Sequence, residues 1–258
     1  MKKSTLFIIL LIGGVVLVNY FSKRKDSGTG GPPSVAERPS KQPPADPGIW
    51  PPPDPEGKPV TLAPNYTAKN YYIIFDGSGS MDDSHCADGS TKILVAKKAV
   101  ADFAKSIPED ANLGLLAFDL QGISERLPLG TGNREPFIEA VNAVDPGDAT
   151  PLKSAIRLGV DRLTAQARQQ LGYGEYHLVV VTDGEANPDG ENPSAAVDWT
   201  LKTSPILIHT IGFCIGEAHS LNQPGRTIYH AANNPDDLTS GLKEVLAESE
   251  SFDVKAFQ

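Results

Sequence analysis

Cysteine, methionine and tryptophan are scarce, with two of each in 258 residues. Two cysteines exclude a disulfide-rich scaffold and leave one intramolecular bond as the most the chain can form. Histidine is almost as sparse: His85, His177, His209, His219 and His230 are scattered without the spacing of a zinc centre. No Gly-Lys-Ser/Thr phosphate loop is present, and Gly77-Ser78-Gly79-Ser80 lacks the third glycine and the later acidic position of a dinucleotide fingerprint. Basic residues are also in deficit, 23 Lys and Arg against 32 Asp and Glu, and from residue 69 onward the balance is 15 against 27, a formal charge of −12. That surface repels phosphate backbones, so nucleic acid is excluded as the expected partner.

Proline is plentiful but unevenly placed. Residues 30–64 are crowded with it, as in Lys41-Gln42-Pro43-Pro44 and Trp50-Pro51-Pro52-Pro53, and show no apolar period, which reads as an extended, semi-rigid spacer. Before it, Thr5 to Phe21 is almost wholly apolar and free of acidic residues, flanked by Lys2 and Lys3 on one side and Lys23, Arg24 and Lys25 on the other. This predicts a single membrane span; a cleaved signal peptide is the alternative, but no small-x-small cleavage pattern follows. The expected organisation is residues 1–25 as anchor or signal segment, 26–68 as Pro-rich linker and 69–258 as one globular domain. The basic flanks nearly tie, so charge does not orient the span. A short anchor followed by a stalk and domain fits the inner (cytoplasmic) membrane, crossed once, with the domain extracytoplasmic, which in a Gram-negative cell is the periplasm.

The chemistry concentrates after Tyr71-Tyr72-Ile73-Ile74-Phe75, an apolar run that reads as a buried strand. Asp76, Ser78 and Ser80 leave its end at alternate positions with glycines between them, so that one carboxylate and two hydroxyls can converge. A second apolar strand, Val179-Val180-Val181, runs through Thr182 into Asp183, and Gly147-Asp148-Ala149-Thr150-Pro151 forms a turn that opens a helix. There Pro151 suits the first helical position and Thr150 the cap. Hard oxygen donors in this number suit Mg2+ or Mn2+. Taken singly, each fragment is only a turn or a cap.

Together the five residues, Asp76, Ser78, Ser80, Thr150 and Asp183, resemble the metal ion-dependent adhesion site of the von Willebrand factor type A (vWA) family: Asp-x-Ser-x-Ser, a distant Thr, then a distant Asp. The resemblance spans roughly Lys69 to Ser251. It implies that Ser78, Ser80 and Thr150 touch the metal while Asp76 and Asp183 act largely through bound water. Three neutral hydroxyls with two carboxylates leave a divalent ion short of negative charge, so an Asp or Glu from a protein partner suits the open position. The expected function is a membrane-tethered, metal-dependent adhesion or assembly module and not an enzyme. The alternative is a metal-dependent hydrolase or phosphatase using Ser78 or Asp76 as nucleophile; it lacks an adjoining base or Lys/Arg cluster in sequence, although His85 or Arg226 could approach in space.

Helical periods over about 92–107, 134–144, 151–172, 194–202 and 235 onward alternate with apolar runs at 112–118, 176–182 and 206–213, with a short edge strand near 124–129. The pattern predicts an α/β, doubly wound, mostly parallel sheet with helices on both faces. In such a sheet Cys86, after the metal loop, and Cys214, at the end of a strand, share the C-terminal edge, so a Cys86–Cys214 disulfide is expected in an oxidising compartment.

Overall fold

The computed structural model describes residues 49–250. The segment expected to cross the membrane, Thr5 to Phe21, lies outside the described residues, as does the first part of the linker. Among the described residues no helix is long and apolar enough to cross a membrane.

The elements run β1 (Lys69–Asp76), α1 (Lys92–Ser106), β2 (Asn112–Asp119), β3 (Gly122–Gly130), α2 (Arg134–Asn142), α3 (Leu152–Gln169), β4 (Glu175–Thr182), α4 (Ser194–Thr203), β5 (Leu207–Phe213), β6 (Ile228–Ala232) and α5 (Pro235–Glu250). They build one six-stranded sheet in the order β3-β2-β1-β4-β5-β6. Strand β3 is antiparallel to β2 and every other pairing is parallel. From Asn70 to Asp76 every residue of β1 is buried, because helices cover both sides. Tyr71, Ile73 and Phe75 pack toward α1, α2 and α5, while Tyr72 and Ile74 pack toward α3 and α4. Each such side chain contributes about 1.5–3 kcal/mol relative to exposure.

The doubly wound, mostly parallel architecture matches the sequence expectation, with differences in detail. Strand β6 was not foreseen, since its five residues form only a short apolar stretch interrupted by His230, and four of them are only half-buried. At its N-terminus, α5 is capped reciprocally: the Asp237 amide donates to Asn234 Oδ1 at 2.9 Å, and Asp237 Oδ2 accepts from the Asn233 amide at 3.1 Å. The segment 50–63, expected as an extended, semi-rigid spacer, is docked at points along its length on the far end of the sheet. Trp50 meets Tyr176 edge-on at 4.7 Å, Arg168 Nε donates to the Pro52 carbonyl at 2.8 Å, and the Ala63 amide donates to the Gln169 carbonyl at 2.9 Å. The folded unit therefore begins upstream of residue 69, held by an aromatic anchor that the surrounding prolines obscure in the sequence.

Neighbouring strands β1 and β4 send their chains to opposite faces, β1 into α1 and β4 into α4. This is a topological switch point, where the loops at the strands' C-terminal ends part and leave a crevice. At the opposite end, Tyr71 stacks on His177 at 4.8 Å, and His177 Nδ1 lies 3.2 Å from His209 Nε2. Burial pushes His177 down to about 4, with Lys69 adding to the fall, and burial with the neighbouring His177 pushes His209 down to about 3. The unfolded chain takes up these protons first, so the histidines' contribution is full above about pH 6.5 and is lost as pH falls toward 4. Replacing His209 by Leu removes its share. In urea unfolding, the stability difference between variant and parent should shift toward the variant by up to about 2 kcal/mol between pH 7.5 and pH 5.

Candidate metal site at the switch point

Asp76 ends β1 fully buried, and both of its oxygens are engaged. Oδ1 accepts from the Ser78 amide at 2.7 Å, and Oδ2 accepts from Thr182 Oγ1 at 2.5 Å. Ser78 Oγ lies 3.1 Å from Ser80 Oγ, and Ser80 Oγ donates to Asp183 Oδ1 at 2.6 Å. Four of the five expected residues thus form one continuous chain of polar contacts bridging β1 and β4. Thr150 enters from a third segment: a methyl group placed on Gly184 would stand 3.7 Å from Ser80 Oγ and 4.0 Å from Thr150 Oγ1. Asp76, Ser78, Thr150 and Asp183 are buried while Ser80 is exposed, so the cluster opens to solvent at one side.

The three loops are laced by their backbones. The Gly79 amide donates to the Asp148 carbonyl at 3.2 Å, the Gly147 amide to the Gly77 carbonyl at 2.9 Å, and the Asn187 amide to the Thr150 carbonyl at 3.0 Å. Gly77 is required by proximity rather than by its backbone angles: an added Cβ would come within 2.5 Å of Val144 Cγ1 and 3.0 Å of the Phe118 carbonyl oxygen. Thr150 does not cap α3. Pro151 takes the N-cap position with φ −80° and ψ 62°, without a side-chain cap bond. Instead Glu191, from the segment after β4, accepts from the Ser154 amide at 2.8 Å and from Ser154 Oγ at 3.0 Å.

Residues beyond the expected five complete the site. Lys92, the first residue of α1, places its ammonium 2.9 Å from Asp183 Oδ2 in a buried ion pair. Burial alone would lower the Lys92 pKa, but the hydrogen bond and charge of Asp183 outweigh it and hold the ammonium above its ordinary value. Lys92 sits on the same helical stripe as buried Ala96, Ala99, Val100 and Phe103, a placement visible in the sequence. Thr182 orients Asp76 from β4. His219 accepts the Leu221 amide at Nδ1, so its proton lies on Nε2, which donates to the Gly184 carbonyl at 3.0 Å and braces the loop after Asp183. Arg226 is instead paired with Asp198 on α4, and His85 lies on an exposed turn.

Burial first, and then the neighbouring Asp183 carboxylate, push Asp76 up to about 6 against the pull of its Ser78 and Thr182 hydrogen bonds. Two buried carboxylates close enough to raise the Asp76 pKa create a local excess of negative charge that a cation relieves. Among the described residues no three His, Cys, Asp or Glu side chains gather to hold a metal by themselves. The donors are oxygens of two carboxylates and three hydroxyls, a set that fits a small hard divalent ion and not zinc. Cys86 and Cys214 stand as two free thiols. They are neighbours: burial first, and then a hydrogen bond and charge from Cys86, push Cys214 up to about 12. Both have left-handed backbones, φ 58° and 63°.

A family model described as the von Willebrand factor type A domain matches residues 71–185. Residues 71–185 carry a vWA domain. The matched segment contains all five oxygen donors of the site. A curated relative of the chain, the uncharacterized protein YwmC of Bacillus subtilis (strain 168), is 26% identical over 166 residues, 58% of this chain and 68% of the relative. Among solved structures, a von Willebrand factor type A protein from Catenulispora acidiphila superposes with a TM-score of 0.55 at 17% identity, covering 71% of this chain and 43% of that one. Manganese-loaded TRAP protein of Plasmodium vivax gives 0.53 at 18% identity, covering 70% and 74%. A vWA domain is typically an adhesion or protein-interaction module. The close packing of Gly77 beside the candidate site yields a direct check: Gly77→Ala should lower unfolding stability in urea by about 1–3 kcal/mol through overpacking against Val144 and the β2 backbone.

Proposed function

We propose that this chain is a membrane-tethered protein-binding module whose vWA domain binds its partner through a divalent cation. The observation that carries the reading is the linked chain Thr182, Asp76, Ser78, Ser80 and Asp183, with Thr150 beside it, closed beneath and open at Ser80. Ser78, Ser80 and Thr150 would hold Mg2+ or Mn2+ directly, and Asp76 and Asp183 would balance its charge. The ion supplies a Lewis-acidic position at which an outside oxygen, from an Asp or Glu of the partner, can bind. That a protein of the same fold, TRAP, is manganese-loaded supports the choice of metal. Thr5 to Phe21 would anchor the chain, and the domain would face out of the cytoplasm.

The same contacts disfavour a hydrolase. Asp76 is buried with both oxygens engaged, and the cation nearest the site, Lys92, is held by Asp183 rather than aimed at a leaving group. Thermal unfolding of the purified chain with Mg2+ or Mn2+ tests the metal. Saturation at a hundred times the dissociation constant should stabilise the protein by about 2.7 kcal/mol, EDTA should reverse the gain, and a Ser78→Ala, Ser80→Ala variant should lose it. A parent protein indifferent to both ions would sink the assignment.

The paired thiols bear on location. In an oxidising compartment Cys86 and Cys214 would form the expected disulfide, closing a loop of more than 100 residues and fixing the segment after Ser80 to the end of β5. Thiol titration of denatured protein isolated without reductant should then find none, rising to two after reduction; two from the outset would refute the bond.

A further inference from the structure

Lysine is rarely buried, and a cation in the first turn of a helix works against the helix dipole. Lys92 does both, with its side chain 8% exposed and its Asp183 partner fully buried. A buried ion pair is seldom kept for stability, because desolvating two charges offsets most of their attraction. The residue therefore calls for a functional account. Asp183 divides its carboxylate between Lys92 at Oδ2 and Ser80 at Oδ1, so the ammonium is one carboxylate away from the hydroxyl chain of the site.

We infer that Lys92 is a specificity-determining residue: its fixed charge weakens the hold of the site on the metal and strengthens the hold of the loaded site on an anionic ligand. The inference rests on the metal reading above. With Asp76 and Asp183 ionised, the two carboxylates and Lys92 sum to −1, and a divalent ion brings the loaded site to +1. Without Lys92 the loaded site would be neutral. The surplus charge lies in a largely buried pocket, where screening is weak, and is balanced when a carboxylate arrives from outside. A protein ligand presenting Glu or Asp is thereby favoured over one presenting a hydroxyl or amide oxygen, and metal loading and ligand capture become coupled.

The test uses the full-length chain at pH 7.5 with Mn2+ as the metal probe and acetate as the ligand probe. Mn2+ binding is read from the electron spin resonance of free Mn2+, and acetate binding from its nuclear relaxation by protein-bound Mn2+. Lys92→Met removes charge and hydrogen bond, Lys92→Gln removes charge but can still donate to Asp183, and Lys92→Arg keeps the charge. Both neutral variants should bind Mn2+ roughly tenfold tighter and acetate correspondingly weaker, while Lys92→Arg stays near the parent on both measures. Shifts of both constants in the same direction, no shift, or an effect in Lys92→Met that Lys92→Gln does not share would overturn the role. Loss of folding in both neutral variants would make Lys92 a structural residue and overturn it too. A parent protein that binds no Mn2+ would instead remove the metal reading itself, and this role with it.

Discussion

The C-terminal edge of the sheet is organised around the carboxylate of Asp76. It sits where the chain leaves the central strand, has no access to water, and is held by a hydroxyl from β4 and an amide from its own loop. A buried charge of this kind is tolerated only with such partners, so β1, its loop and β4 must keep their relative positions for the carboxylate to remain satisfied. Asp183 is bound into the same arrangement through Ser80 and balanced by Lys92. The geometry of the candidate site thus follows from how the fold accommodates one unfavourable group at its centre.

The neighbouring loops extend that constraint. Glu191 fastens the segment after β4 to the first turn of α3, and the Thr150 carbonyl accepts the Asn187 amide. Thr150 and Asp183, distant in sequence, are therefore tied to the same stretch of backbone. His219 adds a brace from the segment after β5. Thr150 makes no capping bond, so a residue that reads as a helix cap is left with its hydroxyl beside the cluster.

Much of this was legible in the sequence because strand ends are legible. Apolar runs locate β1 and β4, and polar residues that follow directly, Asp76, Ser78, Ser80 and Asp183, are bound to gather at the switch point once the sheet is parallel. Lys92 was equally visible as a charge on a buried stripe, but a lysine at a helix start ordinarily points to water, and only its distant partner gives it meaning. The capping role of Glu191 escaped for the same reason: it depends on a contact between segments that no local pattern encodes. Strand β6 and the docked segment around Trp50 were missed because half-buried residues and prolines suppress the periodic signal on which such readings depend.

Strand β3 forms one border of the sheet, and Pro128 lies within it among the charged Glu125 and Arg126. Proline offers no amide hydrogen, and its pairing with β2 is already irregular along this stretch. A foreign chain seeking to lengthen the sheet would find a broken row of donors and two unlike charges there. The border is thus guarded against edge-to-edge association, by which identical copies would otherwise stack into ribbons.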